Sequence, residues 1–160
     1  MSVELCLNLV KNSPFGPSLS EKECEELASI IEIRELPKGE FLIREGEIDN
    51  TLYVTVSGEL AVIKNTGAGE EQLHVLDAGN LAGAMGFLDG KEHSASLRAS
   101  SSTQVFCIER SSFETLIEKS PMIVYQVMKT IVRDIHGIVK NMNSSHVELS
   151  NYINQRHGRY

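Results

Sequence analysis

The residues with the most chemical content lie in one stretch, Gly83-Ala84-Met85-Gly86-Phe87-Leu88-Asp89-Gly90-Lys91-Glu92-His93-Ser94-Ala95. Two glycines three residues apart precede an apolar pair, a turn and a small polar segment. Glycine lets a backbone approach a ligand closely or take positive φ. Successive free N–H groups in such a turn form a nest for an anion such as a phosphate. The stretch therefore reads as an anion-binding turn. Catalytic chemistry finds no comparable support. There is no nucleophile elbow and no phosphate-binding loop of the G-x-x-x-x-G-K type, and no carboxylate pair stands at suggestive spacing from a basic partner. No enzyme activity is expected.

The rest of the chain must position that stretch. From residue 40 to 110 the apolar pattern has period two. Leu52, Val54 and Val56 alternate with Tyr53, Thr55 and Ser57. The pattern continues in Leu60 and Val62, Leu73 and Val75, Ala95 to Ala99, and Gln104 to Ile108. Glycine turns recur between these runs, at Gly39, Gly46, Gly58, Gly67 to Gly69 and Gly79. Short strands closed by such turns predict an antiparallel sandwich or jelly roll. The corners at Glu45 and Glu47 read as solvated.

Helical patterns flank this roll. Ser20 and Glu23 have the spacing of a capping box, and Leu27, Ile30 and Ile31 share a face of the helix that follows, up to Pro37-Lys38-Gly39. Residues 1–19 form a mixed N-terminal segment broken by Asn12-Ser13-Pro14 and Gly16-Pro17. After the roll, Ser111 and Glu114 suggest a second capping box over a short helix. Ser120 then caps a longer one, with Pro121 in its first turn. Val124, Met128, Ile131, Ile135, Ile138 and Met142 are spaced alternately by four and three, the seam of a two-stranded coiled coil and an expected homodimer interface. Val127, Val132 and Val139 widen the stripe, so part of the helix is expected to pack on its own roll. The boundaries are thus 1–19, 20–110 for capping helix and roll, 111–142 for the short and long helices, and 143–160 for a polar tail. That tail is expected to prolong the helix by a turn or two before disorder.

Composition excludes several classes. The 160 residues carry a net charge of −7 and the basic residues are scattered, which argues against a general nucleic-acid or membrane-surface binder. No apolar run approaches a membrane span, and the N-terminus lacks the features of a signal peptide, so a cytoplasmic location is expected. Cys6, Cys24 and Cys107 are far apart and read as structural thiols. His74, His136, His146 and His157 lack metal-like pairing, and no metal site is expected.

The order of elements, with LPKGEFLIREGE at 36–47, LYVTVSGELAV at 52–62, LDAGNLAGAMGFLDG at 76–90 and HSASLRASSSTQVFCI at 93–108, resembles the cyclic-nucleotide-binding domain of catabolite-activator-type regulators. The resemblance runs from about Leu9 to about Met142. It implies a mainly β fold with flanking helices: a β-roll, a short helix and a long C-terminal dimerisation helix. It also implies that residues 83–95 are a phosphate-binding cassette. Gly83 and Gly86 would shape the turn, Phe87 and Leu88 pack its short helix, and Ser94 and Ala95 lie against the phosphate. The family's glutamate, which binds the ribose hydroxyl, falls on Ala84, and its phosphate-pairing arginine falls on His93. Neither is present, and Arg98, the nearest arginine, is read equally as facing the cavity or solvent.

No cofactor is assigned with certainty; the resemblance implies a cyclic nucleotide as an allosteric ligand. The family's transcription factors add a DNA-binding module that this chain does not reach, so no DNA contact by this chain is expected. Two functions remain open. One is a regulatory domain that binds a cyclic nucleotide or related small anion in the roll and signals through its dimer helix to an unidentified protein. The alternative is a ligand-free homodimeric protein-interaction module that has lost nucleotide binding.

Overall fold

A computed structural model describes residues 2–157. Two antiparallel four-stranded sheets form the roll. The first has the order β1 (Ile31–Leu36), β8 (Thr103–Glu109), β3 (Thr51–Ser57), β6 (Leu81–Ala82); the second has β2 (Phe41–Ile43), β7 (Ser96–Ala99), β4 (Leu60–Thr66), β5 (Gly69–Leu76). The helices are α1 (Val3–Lys11), α2 (Glu21–Ala28), α3 (Ala84–Asp89), α4 (Arg110–Glu114), α5 (Leu116–Lys119) and α6 (Pro121–His157).

The period-two strands bury both faces of the first sheet. Leu36, Tyr53 and Val105 face the roll interior and meet Leu60, Leu97 and Ala99 of the second sheet. Leu52, Val54, Phe106 and Ile108 point the other way, into a second cluster with Val10 of α1, Leu27 of α2, and Ile123, Val127 and Ile131 of α6. A strand alternates its side chains between faces, so one sheet serves two cores. The outer strand β5 is mostly exposed. A register shift in its pairing with β4 leaves Leu73 unpaired and 55% exposed, so Leu73 and Val75 do not act as an inward pair. A bulge with Glu70 and Glu71 beside it blunts an open sheet edge.

Several local expectations need correction. The N-terminal segment contains a full helix, α1, which buries Cys6 and Val10 and ends where Asn12-Ser13-Pro14 breaks it. The capping box of Ser20 and Glu23 is formed in both directions, but α2 stops at Ala28. Ile31 opens a strand instead, opposite Ile108. Ser111 and Glu114 do not cap a helix, because β8 runs to Glu109 and α4 starts directly at Arg110. The Ser120 hydroxyl donates to the Glu26 carboxylate of α2, tying the start of α6 to the N-terminal helices.

The largest correction concerns α6. It does not end a turn or two past Met142 but continues to His157, a rod of about 55 Å at ~1.5 Å per residue. Residues 158–160 of the expected disordered tail lie outside the described residues. Ile131, expected in the dimer seam, is fully buried in the domain's own core with Ile123 and Val127. Val124, Met128 and Ile135 are partly covered by the same core. Ile138 and Met142 stand exposed, and Leu149 and Tyr152 carry the same heptad positions onward, also exposed.

Asp134 follows Thr130 and Ile131 by four and three residues, on the face of α6 turned to the domain, and burial raises its carboxyl above the ordinary carboxylate value. A raised folded-state pKa means that folding disfavours the charged form. The penalty is present at neutral pH and is relieved as pH falls through the folded pKa. Asp134→Asn is therefore expected to raise the unfolding temperature at pH 7. The gain should vanish below about pH 4, where the unfolded carboxylate is itself protonated. Melting curves at both pH values check this, and coincident curves at pH 7 would contradict it.

Candidate functional site

Strand β6 delivers the chain to Gly83, which N-caps α3 in the left-handed conformation, with φ +74°. A Cβ there would lie 2.9 Å from the Thr51 carbonyl oxygen, so both conformation and space require glycine. Helix α3 closes with Phe87 N–H donating to Gly83 O at 3.0 Å and Gly90 N–H donating to Gly86 O at 2.9 Å. The segment then returns antiparallel to the loop after β2. His93 N–H donates to Glu47 O and Gly46 N–H donates to His93 O, both at 2.9 Å.

That pairing lays the His93 side chain across the first turn of α3. A Cβ on Gly86 would lie 2.7 Å from His93 Cε1 and 3.1 Å from Asp49 O. Gly86 is therefore a point of close approach between helix, loop and imidazole. His93 is half-buried, and its Nε2 is buried with no hydrogen-bond partner. Ala84 contributes a half-buried methyl against the main core, where a longer side chain would project from the start of α3. The Tyr53 hydroxyl donates to the Asp49 carboxylate, fixing the loop that covers Gly86. Burial and this carboxylate raise the Tyr53 phenol well above its ordinary value.

The cassette is anchored from beneath. Phe87 is 1% exposed, and its ring meets Phe113 of α4 at 5.3 Å between centroids, tilted by 59°. Leu88 is partly buried against the same cluster. Arg110 Nη1 lies 3.4 Å from Phe87 O, its own N–H donates to Asn50 O, and its Nε pairs with Glu114 at 3.4 Å. Through Phe87, Phe113 and Arg110 the cassette touches the element that leads into α6.

An open cleft of about 680 Å³ borders the far end of the cassette, lined by Lys64, Lys91, Glu92, His93, Ser94 and the Glu45–Gly46 turn. Of the residues singled out from sequence, His93 and Ser94 line this cleft. Gly83, Ala84, Gly86, Phe87 and Leu88 form the short helix and its approach, and half-buried Ala95 leads into β7. Arg98 is outside it: it alternates with buried Leu97 and Ala99, pairs with Glu70 at 3.2 Å and lies over the Phe41 ring on the outer face of the second sheet. Glu45 is not a solvated corner. Its Oε1 is 2.6 Å from Lys64 Nζ and its Oε2 accepts from Asn65 N–H at 3.0 Å. Lys64, Glu45, Asp49, Tyr53 and Arg110 escape a reading of sequence, because their partners are other loops and strands and no local spacing announces them.

Residues 33–120, more than half of the chain, match the family described as the cyclic nucleotide-binding domain. The chain belongs to this family. It is 28% identical over 125 residues to the Cyclic AMP receptor protein of Thermus thermophilus, covering 78% of this chain and 58% of that protein. It is 32% identical over 121 residues to the cAMP-activated global transcriptional regulator CRP of Salmonella typhimurium, covering 74% of this chain and 58% of that protein. The chain thus spans less than two thirds of these curated relatives. A cyclic nucleotide-binding domain from Methylobacillus flagellatus KT shares the fold with a TM-score of 0.80 and 23% identity, over 91% of this chain and 83% of that one. Within the family, the jelly roll followed by a long helix is the shared architecture, and no helix among the described residues is long and apolar enough to cross a membrane.

The close approach at Gly86 has a measurable cost. Gly86→Ala is expected to destabilise the domain by about 1–3 kcal/mol through overpacking against the imidazole and the loop. In a His93→Ala background most of that cost should disappear, leaving the Asp49 carbonyl contact. A double-mutant cycle by urea denaturation measures this, and equal costs in the two backgrounds would show that the imidazole is not the obstacle.

Proposed function

We propose that this chain is a homodimeric regulatory domain that binds a phosphate-bearing ligand of the cyclic-nucleotide class at residues 83–95 and relays its occupancy to α6. The observation that carries this reading is the His93 Nε2, buried without a partner over the first turn of α3. A buried polar atom left unsatisfied is costly, and a ligand oxygen at the cassette would satisfy it when the imidazole carries its proton there. Gly83, Gly86, Ser94 and Ala95 would supply the close backbone approach, with Phe87 and Leu88 holding the helix in place. Both relatives named above are cyclic AMP regulators, which makes cyclic AMP the first probe.

The reading is regulatory and not catalytic, and it places the protein in the cytoplasm, where Cys24 and Cys107 would stay reduced. Burial raises the Cys107 thiol to about 11 and also lifts Cys24, so neither behaves as a reactive nucleophile. The relay would run from Phe87 to Phe113 and Arg110, and so to α5 and α6. A second copy of α6 would cover Ile138, Met142, Leu149 and Tyr152, which the domain itself leaves in water. Val124, Met128 and Ile135 would extend that seam toward the domain, and Ile131 would support it from within.

Ala84 favours the second reading, a ligand-free interaction module. It offers no acceptor for a ribose hydroxyl, and His93 lacks the bidentate fork of an arginine. Each charge-assisted hydrogen bond is worth about 1.5–3 kcal/mol, so two absent ones weaken binding by on the order of a hundredfold or more.

Isothermal titration calorimetry against cyclic AMP, cyclic GMP and cyclic di-GMP separates the readings. Saturable binding to one of them, lost in His93→Ala while the fold persists by circular dichroism, is the expected outcome. Flat traces for all three, both in the parent and in Glu45→Gln, which frees Lys64 from its carboxylate, would overturn the sensor and leave the ligand-free module. For the dimer, Ile138→Glu with Met142→Glu should convert the protein to a folded monomer in sedimentation velocity. A dimer that survives both charges would place the interface elsewhere.

A further inference from the structure

The cleft beside the cassette is lined by an ion pair between Lys64 and Glu45. On β4, Leu60 and Val62 turn toward the roll interior, and Lys64 takes the next position on that face, where its stem extends the wall and its ammonium reaches the rim. Lys64 Nζ lies 2.6 Å from Glu45 Oε1 and donates to Ser94 O at 2.6 Å, so the cation touches the same segment that carries His93. The other Glu45 oxygen accepts the Asn65 backbone N–H, and Ser96 Oγ accepts the Glu45 N–H at 2.8 Å. An ammonium and a backbone amide converging on one carboxylate are the donor set that holds a phosphate oxygen. Lys91 and His93 line the same cleft, with Glu92 as the second carboxylate. The Glu45 side chain is 27% exposed, and Gly46 follows it at φ +84°.

We propose that Lys64 is the phosphate-binding cation of this cleft and that Glu45 is its resident competitor, displaced when a phosphate-bearing ligand arrives. The inference rests on the cassette reading above and names the group that replaces the absent arginine. The exchange is balanced in charge: a cyclic phosphodiester carries one negative charge, as does the carboxylate that leaves. Glu45 is stabilised as an anion, first by Lys64 and then by the Asn65 amide, which lowers its carboxyl pKa. The ligand therefore competes with a formed ion pair and not with water alone.

Calorimetric titration with cyclic AMP and cyclic GMP tests this in the full chain with three variants. Glu45→Gln removes the competitor and should tighten binding by about two- to fivefold, the range of a partly exposed ion pair. Lys64→Met should weaken binding by about tenfold or more. Lys64→Arg keeps the charge and should stay near the parent affinity. Opposite shifts from two partners of one ion pair cannot arise from simple loss of folding. A parent that binds while Lys64→Met binds equally well overturns the role of Lys64 and leaves the cassette reading standing. A silent parent with binding recovered in Glu45→Gln supports the competitor directly. Silence in both overturns this inference together with the sensor.

Discussion

Strands β3 and β8 lie at the centre of a sheet that has no solvent face along most of its length. Tyr53 and Val105 fill the roll on one side, and Leu52, Val54, Phe106 and Ile108 receive the helices on the other. This double burial constrains everything else. A sheet with both faces covered cannot slip its register without exposing one core, so β3 and β6 hold the entry to the cassette in a fixed place. The helical face of the same sheet is where Phe87 must dock. The cassette and the long helix are thus two clients of one surface.

Helix α3 has six residues and would not persist alone in water. Its position comes from outside: Phe87 in the shared core, Gly83 at a left-handed cap, and Gly86 pressed against the imidazole and the Asp49 carbonyl. Such a segment has little freedom to move by itself. A shift of α3 displaces Phe87, and the Phe113 ring and the Arg110 guanidinium must follow. Packed cores rearrange between discrete states in preference to deforming smoothly, and the proposed relay to α6 would need that property.

The roll was legible because its signal is periodic and short-ranged: alternating apolar residues between glycine turns. The two glycines of the cassette were legible for the same reason, since a required backbone shape leaves a residue type behind. Strand β1 was hidden because Leu27, Ile30 and Ile31 continue a helical spacing, while the pairing of Ile31 with Ile108 that overrides it spans the domain. Ser111 was misread because β8 runs on to Glu109 and α4 starts directly at Arg110, whereas α6 does begin at Pro121 behind Ser120, whose hydroxyl donates to a carboxylate of α2. The end of α6 was misjudged from its polar composition. Among its Asn and Ser residues, Val147, Leu149, Tyr152 and Ile153 keep an apolar stripe running along the helix. Ile131 illustrates the limit of a heptad pattern, because spacing fixes which residues share a face but not which neighbour covers them.

The electrostatics of the cleft follow from what stands where a guanidinium would. A planar fork selects its anion by geometry, holding two oxygens at fixed angles, whereas an ammonium selects by charge and tolerates many orientations. Lys64 at the rim, with Lys91 and His93 beside it and Glu45 and Glu92 facing them, makes a nearly balanced field around the cassette in place of one dominant cation. On the proposed reading, recognition in such a field depends on displacing the Glu45 carboxylate, so affinity is set by a competition inside the protein. On the same reading, Ala84 offers no acceptor to a ribose hydroxyl, so the phosphate would be the main element for the cassette to recognise. The close packing of His93 on Gly86 is what would carry its presence into α3.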